Sequence, residues 1–180
     1  MRISYTDILV YALCKALKGN PVVNSSLIEN QIVLWEDINM GVAVAVGEGA
    51  DSGLIVPVVK NADRKTIVEI SLEVKALTEK ARTGKLLPDD VSGGTFTLTN
   101  LGAVGGGYGF GTPIINQPQS AILATGAISE RAVVRNGQIV VRPILTYSFT
   151  YDHRVIDGAP AAKFITELSR LLESPTMMLL

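Results

Sequence analysis

Ser148-Phe149-Thr150-Tyr151-Asp152-His153-Arg154-Val155-Ile156-Asp157-Gly158 joins an apolar, strand-like run over residues 142–151 to an amphipathic helix. In that helix Ala161, Phe164, Ile165, Leu168, Leu171 and Leu172 recur at helical spacing, and Pro175 closes it. The stretch also holds the only histidine among the 180 residues. Two readings of His153 stand at this point. One is a structural residue at a strand-to-helix turn; the other is an acid/base group, since an imidazole with an ordinary pKa of about 6.5 can take and return a proton near neutrality.

Upstream, Tyr5 to Lys18 carries Ile8, Leu9, Ala12, Leu13, Ala16 and Leu17 on a helical stripe, with Thr6 as the expected N-cap and Gly19 as the stop. Residues 31–36 and 41–46 read as two strands joined by a turn at Asp37-Ile38-Asn39, and residues 54–59 as a further short strand. Thr66 and Glu69 form a capping-box pattern before Ile67, Ile70, Val74, Leu77 and Ala81, and Gly84 ends that helix. Residues 95–99, 120–128 and 132–135 read as strands, and Asn136-Gly137 as a hairpin turn to a strand at 138–141. Between them, six of the ten residues from Gly102 to Gly111 are glycine, which points to close backbone approach to a ligand or another subunit. The expected fold is therefore α/β (α+β) in one domain spanning 1–180: a mixed β-sheet with helices packed on one face.

Composition narrows the function classes. With 47% hydrophobic and 18% charged residues the chain builds a large core, and the mean hydropathy of +0.32 without an 18-residue apolar run puts the excess inside the fold or between subunits. An oligomer is expected. A net charge of -1, with no basic block, gives no electrostatic reason to bind nucleic acid or an anionic membrane. The single cysteine, Cys14, has no partner for a disulfide, and Met1-Arg2-Ile3-Ser4 shows no leader, so a reducing, cytoplasmic setting is expected, or the mitochondrial matrix in a eukaryote. The Asn24-Ser25-Ser26 sequon is then a chance match. One histidine and one distant cysteine make no metal site. The glycine loop fails the G-x-G-x-x-G spacing, no P-loop precedes Gly84-Lys85, and no G-x-S-x-G elbow is present.

The His153-Arg154-Val155-Ile156-Asp157-Gly158 element resembles the C-terminal signature of the dihydrolipoamide acyltransferases, the core components of 2-oxo acid dehydrogenase complexes; chloramphenicol acetyltransferases share its fold and its His-x-x-x-Asp-Gly element. Three further stretches resemble that family in order: Gly53-Leu54-Ile55-Val56-Pro57-Val58, Gly94 to Gly102 through Thr99-Asn100, and Thr112-Pro113-Ile114-Ile115-Asn116-Gln117-Pro118. The resemblance implies a chloramphenicol acetyltransferase-like two-layer sandwich that passes an acyl group from acyl-dihydrolipoamide to coenzyme A. Coenzyme A and a lipoyl group on a separate domain are its substrates, with no tightly bound cofactor. It implies His153 as general base, Thr99 of a neighbouring subunit as oxyanion donor, and Asp157 as support for the histidine loop and N-cap of the last helix. Leu54, Pro57, Asn100, Gly102, Pro113, Asn116 and Gly158 fall in motifs that shape the substrate channel, Gly158 by letting backbone pass close by. Implied partners are two further copies in a homotrimer, a cubic or icosahedral core, and the decarboxylase and dihydrolipoamide dehydrogenase components. Met177, Met178, Leu179 and Leu180 are expected to anchor one trimer to the next. The family carries serine in many members where Thr99 stands. Its further N-terminal helix and strand, and its lipoyl and subunit-binding domains, lie outside these 180 residues, which leaves the partner of Asp157 open. A core scaffold with little turnover, and a free-standing chloramphenicol-type acetyltransferase, are the alternatives.

Overall fold

The computed structural model describes residues 2–47, 53–103 and 109–179. The centre of the glycine-rich loop and Leu180 lie outside them. Three helices form: α1 (Tyr5–Lys18), α2 (Ile67–Arg82) and α3 (Gly158–Glu173). α1 is apolar almost all round, with Leu9, Val10, Ala12, Leu13, Cys14, Ala16 and Leu17 buried, because it packs against both α2 and α3. Burial pushes the Cys14 thiol up to about 12, so it acts as a small apolar side chain.

Ser4, not Thr6, caps α1. The Ser4 hydroxyl accepts the Asp7 N–H at 3.2 Å and the Asp7 carboxylate accepts the Ser4 N–H at 2.7 Å, a reciprocal box that starts the helix two residues earlier than the apolar pattern suggests. Thr6 instead accepts from the Asn100 amide at 3.1 Å. α2 begins on the expected box, Thr66 with Glu69, and Gly84, at φ +66°, turns the chain away after it.

The main sheet has five strands in the order β11-β8-β7-β3-β6: β11 is Tyr147–Tyr151, β8 Ala121–Thr125, β7 Phe96–Asn100, β3 Met40–Val42 and β6 Val58–Val59. β3, β7 and β8 are mutually parallel, with β11 and β6 antiparallel at the edges. Alternation sends Met40, Val42, Phe96, Leu98, Ala121 and Leu123 to the helix side, where they join Leu13, Leu17, Ile70, Phe164 and Leu168 in one buried cluster. Phe164 of α3 lies 6.0 Å from Phe96 and 5.0 Å from Phe149 between ring centroids, which ties the last helix to the strands before it. The expected mixed sheet with helices on one face is what forms.

Three two-stranded ribbons flank it. β1 (Ser25–Ile28) and β2 (Gln31–Leu34) pair through a turn at Glu29-Asn30 whose φ angles are +48° and +62°; β4 (Val44–Val46) pairs with β5 (Gly53–Ile55); β9 (Ser129–Arg135) pairs with β10 (Gln138–Ile144) through Asn136-Gly137. The expected pairing of 31–36 with 41–46 is thus replaced. β2 takes β1, a strand concealed in sequence by its two serines, while β3 enters the main sheet. The predicted strand 120–128 shortens to Ala121–Thr125, and the predicted strands 41–46, 54–59 and 142–151 each break in two because their halves pair with different partners. In the second, Pro57 has no N–H for a ladder, and in the last the chain leaves β9 at Ile144 and joins β8 at Tyr147.

Candidate functional site

The histidine loop is built by its anchors. Asp152, the first residue past β11, donates its N–H to Ser120 O at 2.8 Å, and its carbonyl accepts from Val155 and Ile156 at 3.0 and 2.9 Å. Ile156 is fully buried, a plug that pins the loop to the core. Between these fixed points His153 turns outward. Its side chain is 70% exposed, its ring centroid lies 5.7 Å from that of Tyr151, and its Nδ1 is 3.7 Å from Asp157 Oδ1, leaving Nε2 turned away from that contact.

Asp157 occupies the N-cap position of α3, yet its side chain makes no capping hydrogen bond and is 84% exposed. The expectation that it caps the helix is corrected: its carboxylate turns to His153 instead. The charge pair that closes the loop is a different one, Asp152 with Arg154. The Arg154 guanidinium grips both carboxylate oxygens and holds the Asp152 carboxyl below the usual carboxylate range. Sequence reasoning missed this pair, although an acid and a base one residue either side of the histidine were its signal. Gly158 also departs from expectation: a Cβ there would meet nothing within 4 Å, so among the described residues no backbone passes close by.

Thr99 stands near the far end of β7, half-buried, on the sheet face opposite Leu98 and the helices. Its neighbour Asn100 is committed structurally, donating to Thr6 and accepting the Ala103 N–H at 3.1 Å. At Gly102 a Cβ would lie 2.6 Å from Gly126 O, so the glycine there is required by the chain's own backbone packing against it. Leu54 is 66% exposed on β5, Pro57 is buried with its carbonyl accepting the Val42 N–H at 2.9 Å, Pro113 is half-buried and Asn116 exposed.

Strand register separates the two principal residues. Thr99 pairs with Ala124, whereas Tyr151 pairs with Ala121 two strands away. Three residues along β8 and two strand spacings put Thr99 about 14 Å from Tyr151, and His153 continues beyond Tyr151. Within one chain the histidine and the threonine do not share a site.

The terminal segment after α3 is a short 3-10 turn, Pro175–Leu179, in which Met178 is 5% exposed in the chain's own core and its carbonyl faces the Tyr11 hydroxyl at 3.4 Å. Met177 packs against the same core. Of the four residues expected to anchor one trimer to the next, these two are taken up by the chain's own core, because an apolar side chain within reach of a core is buried there first. Among the described residues no three His, Cys, Asp or Glu side chains are grouped to hold a metal, and no helix is long and apolar enough to cross a membrane.

Residues 1–180 match the 2-oxoacid dehydrogenases acyltransferase (catalytic domain) family. The chain is 43% identical over its full length to the dihydrolipoyllysine-residue acetyltransferase component of the Bacillus subtilis pyruvate dehydrogenase complex, covering 40% of that protein. It is 42% identical to the succinyltransferase component of the Bartonella vinsonii 2-oxoglutarate dehydrogenase complex, again covering 42% of it. The chain thus spans about two fifths of the curated relatives it matches. Among solved structures, dihydrolipoamide acetyltransferase of Azotobacter vinelandii superposes with a TM-score of 0.90 at 37% identity over 99% of this chain and 72% of that one. That protein has been studied for the catalytic roles of a serine, a histidine and an asparagine four positions after the histidine. The cubic core of a pyruvate dehydrogenase multienzyme complex gives the same score and coverage. A chloramphenicol acetyltransferase, at 16% identity and a TM-score of 0.58, shares the fold alone.

Proposed function

The chain belongs to the family of 2-oxoacid dehydrogenase acyltransferase catalytic domains, and on that premise we propose that it transfers an acyl group from an acyl-dihydrolipoyl thioester to coenzyme A. The observation that carries the reading is the exposed His153, rigidly anchored on both sides and free at Nε2. Attack of a thiol on a thioester asks little of a base thermodynamically, since ionising a thiol of pKa about 8.5 at pH 7 costs about 2 kcal/mol. Placement is the larger task. His153 takes the coenzyme A thiol proton as sulfur attacks the carbonyl carbon. The tetrahedral oxyanion then collapses, and the proton returns to the departing dihydrolipoyl sulfur.

The oxyanion donor in this reading is Thr99 of a neighbouring subunit, a hydroxyl of the kind the serine of the Azotobacter protein carries, and Asp157 matches the spacing of that protein's asparagine, four positions after the histidine. The register that keeps Thr99 and His153 apart in one chain supports a site shared between copies. A homotrimer supplies three such sites, and the likeness to a cubic core supports further assembly within a 2-oxo acid dehydrogenase complex. Coenzyme A and the lipoyl group enter as substrates.

Acetyl and succinyl relatives match almost equally, at 43% and 42% identity, so overall likeness does not select the acyl group. Assay with free dihydrolipoamide and acetyl- or succinyl-coenzyme A, run in the reverse direction, tests chemistry and substrate together. Thioester formation that depends on His153 is expected. An assembled protein with no turnover on either of these, nor on a branched-chain acyl-coenzyme A, points to the scaffold alternative.

A further inference from the structure

His153 is bracketed in sequence by opposite charges that pair with each other. Arg154 donates from its backbone N–H to Asp152 Oδ1 at 3.0 Å, from Nε to both carboxylate oxygens at 3.0 and 3.1 Å, and from Nη2 to Oδ2 at 2.6 Å. Exposed ion pairs between long, mobile side chains contribute little. This one differs because its carboxylate is only 18% exposed and its main chain is fixed by the Ser120 contact. Ser120 is itself held by Ser25, through a backbone bond at 2.9 Å and a hydroxyl contact at 3.1 Å, and both serines are buried. The bracket therefore cannot slide away from the histidine without disturbing the start of β8.

We propose that Asp152 and Arg154 are positioning residues that hold the histidine loop and cancel one another's charge beside His153, so that the ring responds to Asp157 and to bound substrate alone. The proposal rests on His153 being the general base. Tyr151 from β11 stands beside the ring, and Asp157 at the head of α3 is the one acidic group within 4.0 Å of it among the described residues; Asp152 and Arg154 adjoin His153 along the chain. Mutual cancellation matters because either charge alone, one residue from the imidazole, biases its protonation in its own direction.

Opposite shifts are the signature. In Arg154→Gln the Asp152 carboxylate stands uncompensated and favours the protonated ring, so the acid limb of the kcat/KM profile moves to higher pH. In Asp152→Asn the Arg154 guanidinium stands uncompensated, and the limb moves to lower pH. For a single charge on an adjacent residue in near-aqueous surroundings each shift is a fraction of a pH unit, on the order of half a unit. The double variant Asp152→Asn/Arg154→Gln removes both charges and brings the limb back to the wild-type position, even though kcat falls with the lost clamp. The separation between the single variants shrinks in 1 M salt, where the screening length is about 3 Å.

The experiment measures kcat/KM against pH for the assembled wild type, the three variants and His153→Ala, with assembly size checked for each. Opposite displacement of the singles and return of the double supports the bracket. Displacement of both singles in one direction, no displacement, or a double displaced as far as either single overturns it. If His153→Ala keeps wild-type turnover, the general-base reading fails and the bracket with it. If His153→Ala is inactive and the limbs stay fixed, the bracket alone fails.

Discussion

Thr99 stands in register with Ala124 near the carboxyl end of β8, whereas Tyr151, two residues before the histidine, stands opposite Ala121 at its amino end. One β-strand therefore sets the two halves of the proposed chemistry at opposite ends of the sheet. In the proposed chemistry a site that uses both is shared between copies, and its consequences can be measured.

His153→Ala removes the proposed base from a loop whose anchors, Asp152 and Ile156, stay in place. Loss of about 10²–10⁴ in kcat is expected with the assembly unchanged, and steady-state acyl transfer measures it. Near-wild-type turnover refutes the role.

Thr99→Ser keeps the hydroxyl and Thr99→Val keeps the shape. The serine variant retains activity, while the valine variant loses about 10²–10³ in kcat as an oxyanion donor is removed. Equal activity of the two ends that assignment.

Subunit sharing has a sharper test. His153→Ala and Thr99→Val chains are each inactive alone, but a co-assembled mixture contains interfaces with an intact histidine from one chain and an intact threonine from the next. In randomly mixed equal amounts, about a quarter of the sites are restored. A mixture as inactive as its components places both residues outside a shared site.

Ile156→Ala empties a fully buried position under the histidine loop. A stability loss of about 2–4 kcal/mol in denaturant unfolding is expected, with a fall in kcat larger than that of an equally destabilising change in α2, such as Ile70→Ala. Equal kcat in the two variants would show that loop anchoring has no part in turnover.

Ser4→Ala removes the hydroxyl half of the α1 capping box and lowers stability by about 1 kcal/mol. Thr6→Ala affects only the contact with Asn100 and has the smaller effect on α1. Thermal melts of both variants distinguish the cap observed from the one the apolar pattern suggests.

The sequence by itself determined the helices, the mixed sheet, the Asn136-Gly137 turn and the identity of His153 as the residue to examine, because these rest on local periodicity, caps and a unique side chain. Partner choice was decided by tertiary structure. Whether residues 31–34 join β1 or 41–46 depends on which strands meet across the sheet, and the Glu29-Asn30 turn carries no glycine to announce itself. The same holds for Met178, whose burial depends on the space beside Tyr11. It holds most for Asp152, Arg154 and Asp157. In sequence all three are charges around a histidine; only the hydrogen bond from Asp152 to Ser120 and the plug at Ile156 decide which pair closes the loop and which carboxylate faces the ring. Local sequence sets conformational preference, but long-range contacts set direction, and a site's chemistry depends on direction.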